Sequence, residues 1–129
     1  MMGTVQPADV AVVILNWNGR DHLETYLPSV LEHTLEEAAV WVADNGSTDD
    51  SLAWLEVNHP EVRTIALGHN WGFAEGYNKA LAQVDADVYV LLNSDVRIVM
   101  RWIDPVLSVM DEQGWSVAVS YTHLTLPTT

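Results

Sequence analysis

Residues 93–95, Asn-Ser-Asp, close the apolar run Val-Tyr-Val-Leu-Leu at 88–92 and offer the chain's first chemical possibility. A carboxylate two residues past a side-chain amide can hold a divalent cation, and that cation can hold a diphosphate. Equally, Ser and Asp at such a place can cap a following helix. Two further apolar runs end in the same way. Asn16-Trp17-Asn18-Gly19 follows residues 10–15, and Asp44-Asn45-Gly46-Ser47-Thr48-Asp49-Asp50 follows residues 40–43. Three polar strand ends meeting along one sheet edge are harder to assign to capping than one.

These ends need strands and helices to bring them together. The runs at 10–15 and 88–92 are too uniformly apolar for half-exposed strands and suit a parallel sheet covered on both faces. Residues 62–67 read as a less apolar strand at a sheet edge. Between the strands, Leu23, Tyr26, Leu27, Val30 and Leu31 recur at helical spacing, as do Phe73, Tyr77, Leu81 and Val84. Leu52, Trp54 and Leu55 mark a shorter helix stopped by His59-Pro60, and Trp102, Ile103, Val106, Leu107 and Met110 mark a further one. Asp21 with Glu24 reads as a capping box, Pro28 as a kink or a first-turn proline, and Asp49 and Asp50 as first-turn acids of a helix capped by Ser47 or Thr48. A last strand starts within 115–119. The alternation β-α-β-α-β-α-β-α-β predicts an α/β fold with a mainly parallel sheet and helices on its faces. Right-handed crossovers then place the polar ends on one edge, where such folds bind ligands.

Composition narrows the function. Eighteen acidic residues against five basic ones give a formal charge of −13. A chain of that balance lacks the footprint of a nucleic-acid binder, and an anionic ligand needs local compensation from a cation, a helix N-terminus or backbone amides. No apolar run is long enough to span a bilayer, and residues 1–6 do not read as a signal peptide. With no cysteine, disulfides and thiolate metal sites are excluded, and a cytoplasmic protein is the default. The five histidines show no metal-ligand spacing and read as surface residues. Trp54 and Trp102 read as core, whereas Trp17 and Trp71, in loops, either line a nucleoside pocket or cover the sheet edge.

Four segments in order resemble family 2 of the inverting glycosyltransferases, which have the Rossmann-like GT-A fold, and in particular its polysaccharide and rhamnosyltransferase-like branch. They are VVILNWNG at 12–19, VADNGSTDDS at 42–51, NWGFAEGYNKAL at 70–81 and VLLNSDV at 90–96. The resemblance implies a nucleotide-diphosphate-sugar donor lying across the sheet edge. It places Asn16 and Asn18 along the nucleoside, Asp44 at the base with Asn45 in support, and Gly72 and Phe73 close to the nucleotide. Gly76 and Asn78 match the family pattern as packing residues of the following helix. Asp95 matches the last acid of the family's Asp-x-Asp motif, which binds Mg²⁺ or Mn²⁺; Asn93 departs from the first acid and offers a neutral amide to ribose or metal-bound water.

The implied reaction is metal-assisted, inverting glycosyl transfer to a glycan or lipid-linked acceptor in cell-surface glycan assembly. It implies a cytoplasmic full-length protein, peripheral to the inner membrane. The family's catalytic base and acceptor site lie beyond the matched segments, so no residue is assigned as the base. Residues 8–119 read as a truncated donor-binding domain. The string SYTHLTLPTT at 120–129 is similar to one that recurs at the ends of unrelated gene predictions and reads as a non-native tail. A nucleotide-binding fragment without turnover is the alternative function. A phospho-receiver module fails, since the first strand ends without an acidic pair and Lys79, the only lysine, falls in a helix. A nucleotidyltransferase lacks its basic glycine-rich loop.

Overall fold

A computed structural model describes residues 10–34 and 38–94, and the backbone of 117–120. Eight elements follow one another in these segments: β1 (Val10–Asn16), α1 (Arg20–Thr34), β2 (Ala39–Asp44), α2 (Ser51–Asn58), β3 (Arg63–Ala66), α3 (Phe73–Leu81), β4 (Val88–Asn93) and β5 (Val117–Ser120). The strands form one sheet in the order β3-β2-β1-β4-β5, with every pairing parallel. The weakly apolar strand takes the edge, as its composition predicts. The helix expected over 102–110 lies outside the described residues.

Both sheet faces are covered, for the reason the apolar runs indicate. Side chains alternate across a strand, so Val10, Val12 and Ile14 of β1 point one way with Val40, Val42, Val88, Val90 and Leu92. Against them pack Leu23, Leu27, Val30 and Leu31 of α1 and Leu55 of α2. Ala11 and Val13 point the other way with Ala43 and Ile65, under Tyr77 and Ala80 of α3. The smaller residues on this second face let α3 approach closely. A Cβ added at Gly76 lies 3.0 Å from the Asn45 side-chain nitrogen and 3.1 Å from Leu15. Tyr77 ties α3 to the same edge by donating to the Leu92 carbonyl at 3.2 Å.

Three local readings differ from the structure. Asp21 does not cap α1, which starts a residue earlier and makes its first bond from Leu23 N–H to the Gly19 carbonyl. Pro28 does not open α1; it sits inside it on the exposed side, where the freed Glu24 carbonyl can reach water. Asp49 and Asp50 precede α2 instead of lying in its first turn, because Ser47 and Thr48 are engaged by β1 and its following loop and cap nothing.

The register decides where the polar ends meet. Asn16 stands opposite Asp44, and Leu15 opposite Asn93. All three ends therefore share the C-terminal edge of the sheet. The chain runs outward from β1 through β2 to β3, then returns to place β4 on the other flank of β1. That reversal opens a crevice between β1 and β4, the position at which doubly wound sheets bind ligands.

Candidate functional site

A cleft of about 340 Å³ lies over this reversal. Leu15 and Trp17 border it from the end of β1, His22 from the first turn of α1, and Asn93 and Ser94 from the end of β4. Asn45, Asn70, Gly72 and Phe73 close the α3 side. Trp17 and Phe73 leave 54% and 52% of their surfaces exposed there, so two large rings stand ready to cover a planar ligand. Phe73 is held edge-on to Tyr77, with ring centroids 5.0 Å apart.

Behind the cleft, a buried polar knot joins β1 to β2. Asn16 is fully buried, and its amide nitrogen donates to Asp44 Oδ1 at 3.0 Å and to Ser47 Oγ at 3.3 Å. Asp44, 4% exposed, also accepts from Ser47 Oγ at 2.6 Å and, through Oδ2, from Ser47 N–H at 2.9 Å. A carboxylate has about four acceptor positions. The knot fills three of them, leaving Asp44 one position from which to accept a further hydrogen bond. Among the described residues Asn16 Oδ1 has no partner; it faces Gly19, where an added Cβ runs into it.

Asn18 works in the loop next to this knot. It adopts a left-handed backbone with φ of 49°, which asparagine tolerates well. Its side-chain oxygen accepts from Thr48 N–H at 2.7 Å and Asp49 N–H at 3.1 Å, while its own N–H donates to Ser47 Oγ at 2.8 Å. The β1 and β2 loops are thus stitched to each other before any ligand arrives.

Asp49 completes the stitching by serving two helices at once. Its carboxylate accepts from Arg20 N–H at the start of α1 and from the backbone and hydroxyl of Ser51 at the start of α2. Burial pushes its carboxyl up. The hydrogen bonds from Ser51 and Arg20, with the Arg20 charge, outweigh that and hold it below the ordinary carboxylate range. A depressed folded value stabilises above the unfolded one, near 3.9, and that contribution disappears as pH falls through the folded value. Asp49→Asn is therefore expected to flatten the acid limb of stability below about pH 4. Urea midpoints measured down the acid range check this; parallel curves for parent and variant contradict it.

On the α3 side, Asn45 is 3% exposed and spends its whole amide on the turn before the helix. Its Oδ1 accepts from Trp71 N–H at 3.0 Å, and its Nδ2 donates to Asn70 Oδ1 at 3.2 Å and to the Gly72 carbonyl at 3.1 Å. Gly46 passes beside the same turn. Gly72 has φ of 83° and open space where a Cβ would stand, so its backbone conformation requires glycine rather than crowding within the chain. Trp71 does not border the cleft: its indole donates to the Leu67 carbonyl, His69 stands edge-on to it, and Lys79 lies 4.2 Å over its ring.

The expected donor residues therefore occupy two shells. Asn45, Gly72, Phe73 and Asn93 border the cleft, whereas Asn16, Asn18 and Asp44 hold the strand ends behind it. Asp95 lies outside the described residues. Sequence reasoning missed His22 and Ser94 as lining residues, and Asn70 entered it only as the first letter of a matched segment. Among the described residues, no group of three or more His, Cys, Asp or Glu stands together as a metal cage. Mg²⁺ and Mn²⁺ do not need one when phosphates supply ligands. Asn93 and Ser94, half-buried on the cleft, offer it neutral oxygen donors. No described helix is long and apolar enough to cross a membrane.

Residues 11–123 match the sequence profile of Glycosyl transferase family 2. The chain belongs to that family. Over 73 residues it is 34% identical to the N-acetylglucosaminyl-diphospho-decaprenol L-rhamnosyltransferase of Mycobacterium tuberculosis, a match covering 57% of this chain and 24% of that protein. It is 29% identical over 120 residues to the putative teichuronic acid biosynthesis glycosyltransferase TuaG of Bacillus subtilis, covering 91% of this chain and 47% of the relative. The family 2 chain thus spans between about a quarter and a half of these relatives' length.

Solved structures show the same fold. S. aureus TarS 1-349 in complex with UDP-GlcNAc matches with a TM-score of 0.69 at 22% identity, over 82% of this chain and 32% of that one. The mannosyltransferase PcManGT of Pyrobaculum calidifontis, in complex with GDP-Man and Mn²⁺, matches at 0.61 and 23% identity, over 74% and 31%. The family 2 chain has the GT-A fold of these glycosyltransferases.

Proposed function

We propose that the protein transfers a sugar from a nucleotide-diphosphate donor to a glycan or lipid-linked acceptor, with inversion and with metal assistance, in cell-surface glycan assembly. The described residues belong to its donor-binding part. The observation that carries this reading is the cleft at the β1/β4 reversal, walled by two exposed aromatic rings and the side-chain amides of Asn45, Asn70 and Asn93, in a family 2 chain.

In this reading the base enters beside Trp17 and takes the one acceptor position left on Asp44, held in place by Asn16 and Ser47. Asn45 fixes the turn that carries Gly72 and Phe73, so the wall of the cleft is preformed and binding does not have to order it. Asn93 presents a neutral amide to ribose or to water at the diphosphate. Asp95 would hold Mg²⁺ or Mn²⁺, which when bound supplies charge neutralisation for the leaving diphosphate.

Calorimetric titration of UDP, dTDP and GDP, with and without Mn²⁺, tests the reading. Saturable binding that needs the metal and prefers one base supports it. Asp95→Ala is expected to abolish the metal-dependent part, and manganese-dependent binding that survives this change would sink the metal assignment. Turnover with a lipid-linked acceptor separates a transferase from a chain that binds nucleotide and goes no further.

A further inference from the structure

Among the described residues that border the cleft, only His22 has a side chain that ionises. We propose that His22 supplies a side-chain cation to this site beside the metal, pairing in its protonated form with the diphosphate of the bound nucleotide. The inference rests on the nucleotide reading above and adds a charge that the reading does not contain.

A chain with a formal charge of −13 repels a diphosphate unless a positive group meets it locally. The described basic side chains are committed away from the cleft. Arg20 stands 3.3 Å from Glu24 and 3.7 Å from Asp50, with its guanidinium over Trp54. Arg63 lies over Trp41, and Lys79 over Trp71. His33 and His59 face Glu32 and Glu61, and His69 stands edge-on to Trp71.

His22 is placed differently. It is exposed in the first turn of α1, and its ring lies parallel to that of Tyr26 at 6.2 Å. Among the described residues, its side chain has no hydrogen-bond or ion-pair partner. Along α1 its ionisable neighbours are Asp21, Glu24 and Tyr26. The other elements around the cleft present Leu15, Trp17, Phe73, Asn93 and Ser94, none of which ionises. An imidazole changes charge between about pH 5 and 8, so the pairing makes nucleotide affinity depend on pH where an arginine would not.

The test titrates UDP, dTDP and GDP, and the matching nucleosides, into the 129-residue chain and into His22→Gln, at constant Mg²⁺ and at about pH 6 and about pH 8. Circular dichroism confirms that each protein is folded. The preferred nucleotide is expected to bind the parent about fivefold more tightly than the variant at the lower pH, with the difference gone at the higher one. Nucleoside binding should not differ. Protonation of the diphosphate itself is common to both proteins and cancels. His22→Lys, with a fixed charge, should hold the tighter affinity at both values. Equal affinities and equal pH slopes for parent and His22→Gln overturn the proposal, as does an equal loss for nucleoside and nucleotide, which would make His22 a wall of the cleft. Failure of every nucleotide to bind the folded parent overturns the donor-site reading, and the proposal with it.

Discussion

Gly46→Ala is expected to cost about 3 kcal/mol of stability, whereas Gly68→Ala costs about 1 kcal/mol. Both glycines have φ of +77°. Both substitutions therefore meet the same left-handed penalty of about 1–2 kcal/mol. They differ in surroundings. A Cβ at Gly46 stands 2.6 Å from the His69 carbonyl carbon and 2.8 Å from Asn70 N, whereas one at Gly68 has nothing within 4 Å. The atoms in the way are backbone and cannot rotate aside, so the turn at 69–72 has to move. That adds overpacking of about 1–3 kcal/mol and pulls the turn off Asn45. Urea midpoints at constant slope read both values. Equal losses would mean that the close approach of the two loops contributes nothing.

Asp44→Ala is the second large effect, expected to cost about 3 kcal/mol and to flatten the preference among nucleobases. The carboxylate accepts from Asn16 Nδ2, Ser47 Oγ and Ser47 N–H, all in buried or half-buried positions. Removing it strands donors that water cannot easily reach, and each stranded group costs about 1–3 kcal/mol. Asn16, already short of a partner for Oδ1, then keeps only its long bond to Ser47. Stability loss and base preference have to be separated, and Ser47→Ala does so. It loosens the same knot by about 1 kcal/mol while leaving the Asp44 carboxylate in place, so base preference should persist. If Ser47→Ala erases the preference as thoroughly as Asp44→Ala, the base contact reduces to loop geometry.

The frame of the molecule was legible because it depends on local pattern. Uniform apolar runs marked β1 and β4 as buried on both faces, a third short run marked β2, the weaker run marked β3 as an edge, and helical spacing located α1 and α3. The polar strand ends were visible for the same reason. The division of labour among them was not, because it rests on partners 25 to 31 residues apart. Nothing near Asn45 in sequence shows that its amide is consumed by residues 70–72. Nothing near Asp49 shows that it serves the start of α1, and this is why Asp21 looked like the cap. His22 looked like a surface histidine and is one; only the fold shows which surface. The part of the site that depends on Asp95 lies outside the described residues.

The pairing of β1 also has a temporal side. Its partner on one flank, β2, begins at Ala39, but its partner on the other begins only at Val88, so Val10 waits through 88 − 10 = 78 residues of synthesis for its neighbour. At about 5–20 residues per second, that is roughly 4–16 s on the ribosome. Throughout that time the most apolar strand of the sheet shows an open hydrogen-bonding edge, the kind of surface that pairs with other nascent chains. Soluble yield is therefore expected to depend on the pace of translation as well as on the stability of the finished fold. Slower elongation across α2 and α3 lengthens the exposure, and a chaperone that covers residues 10–16 until β4 emerges shortens it.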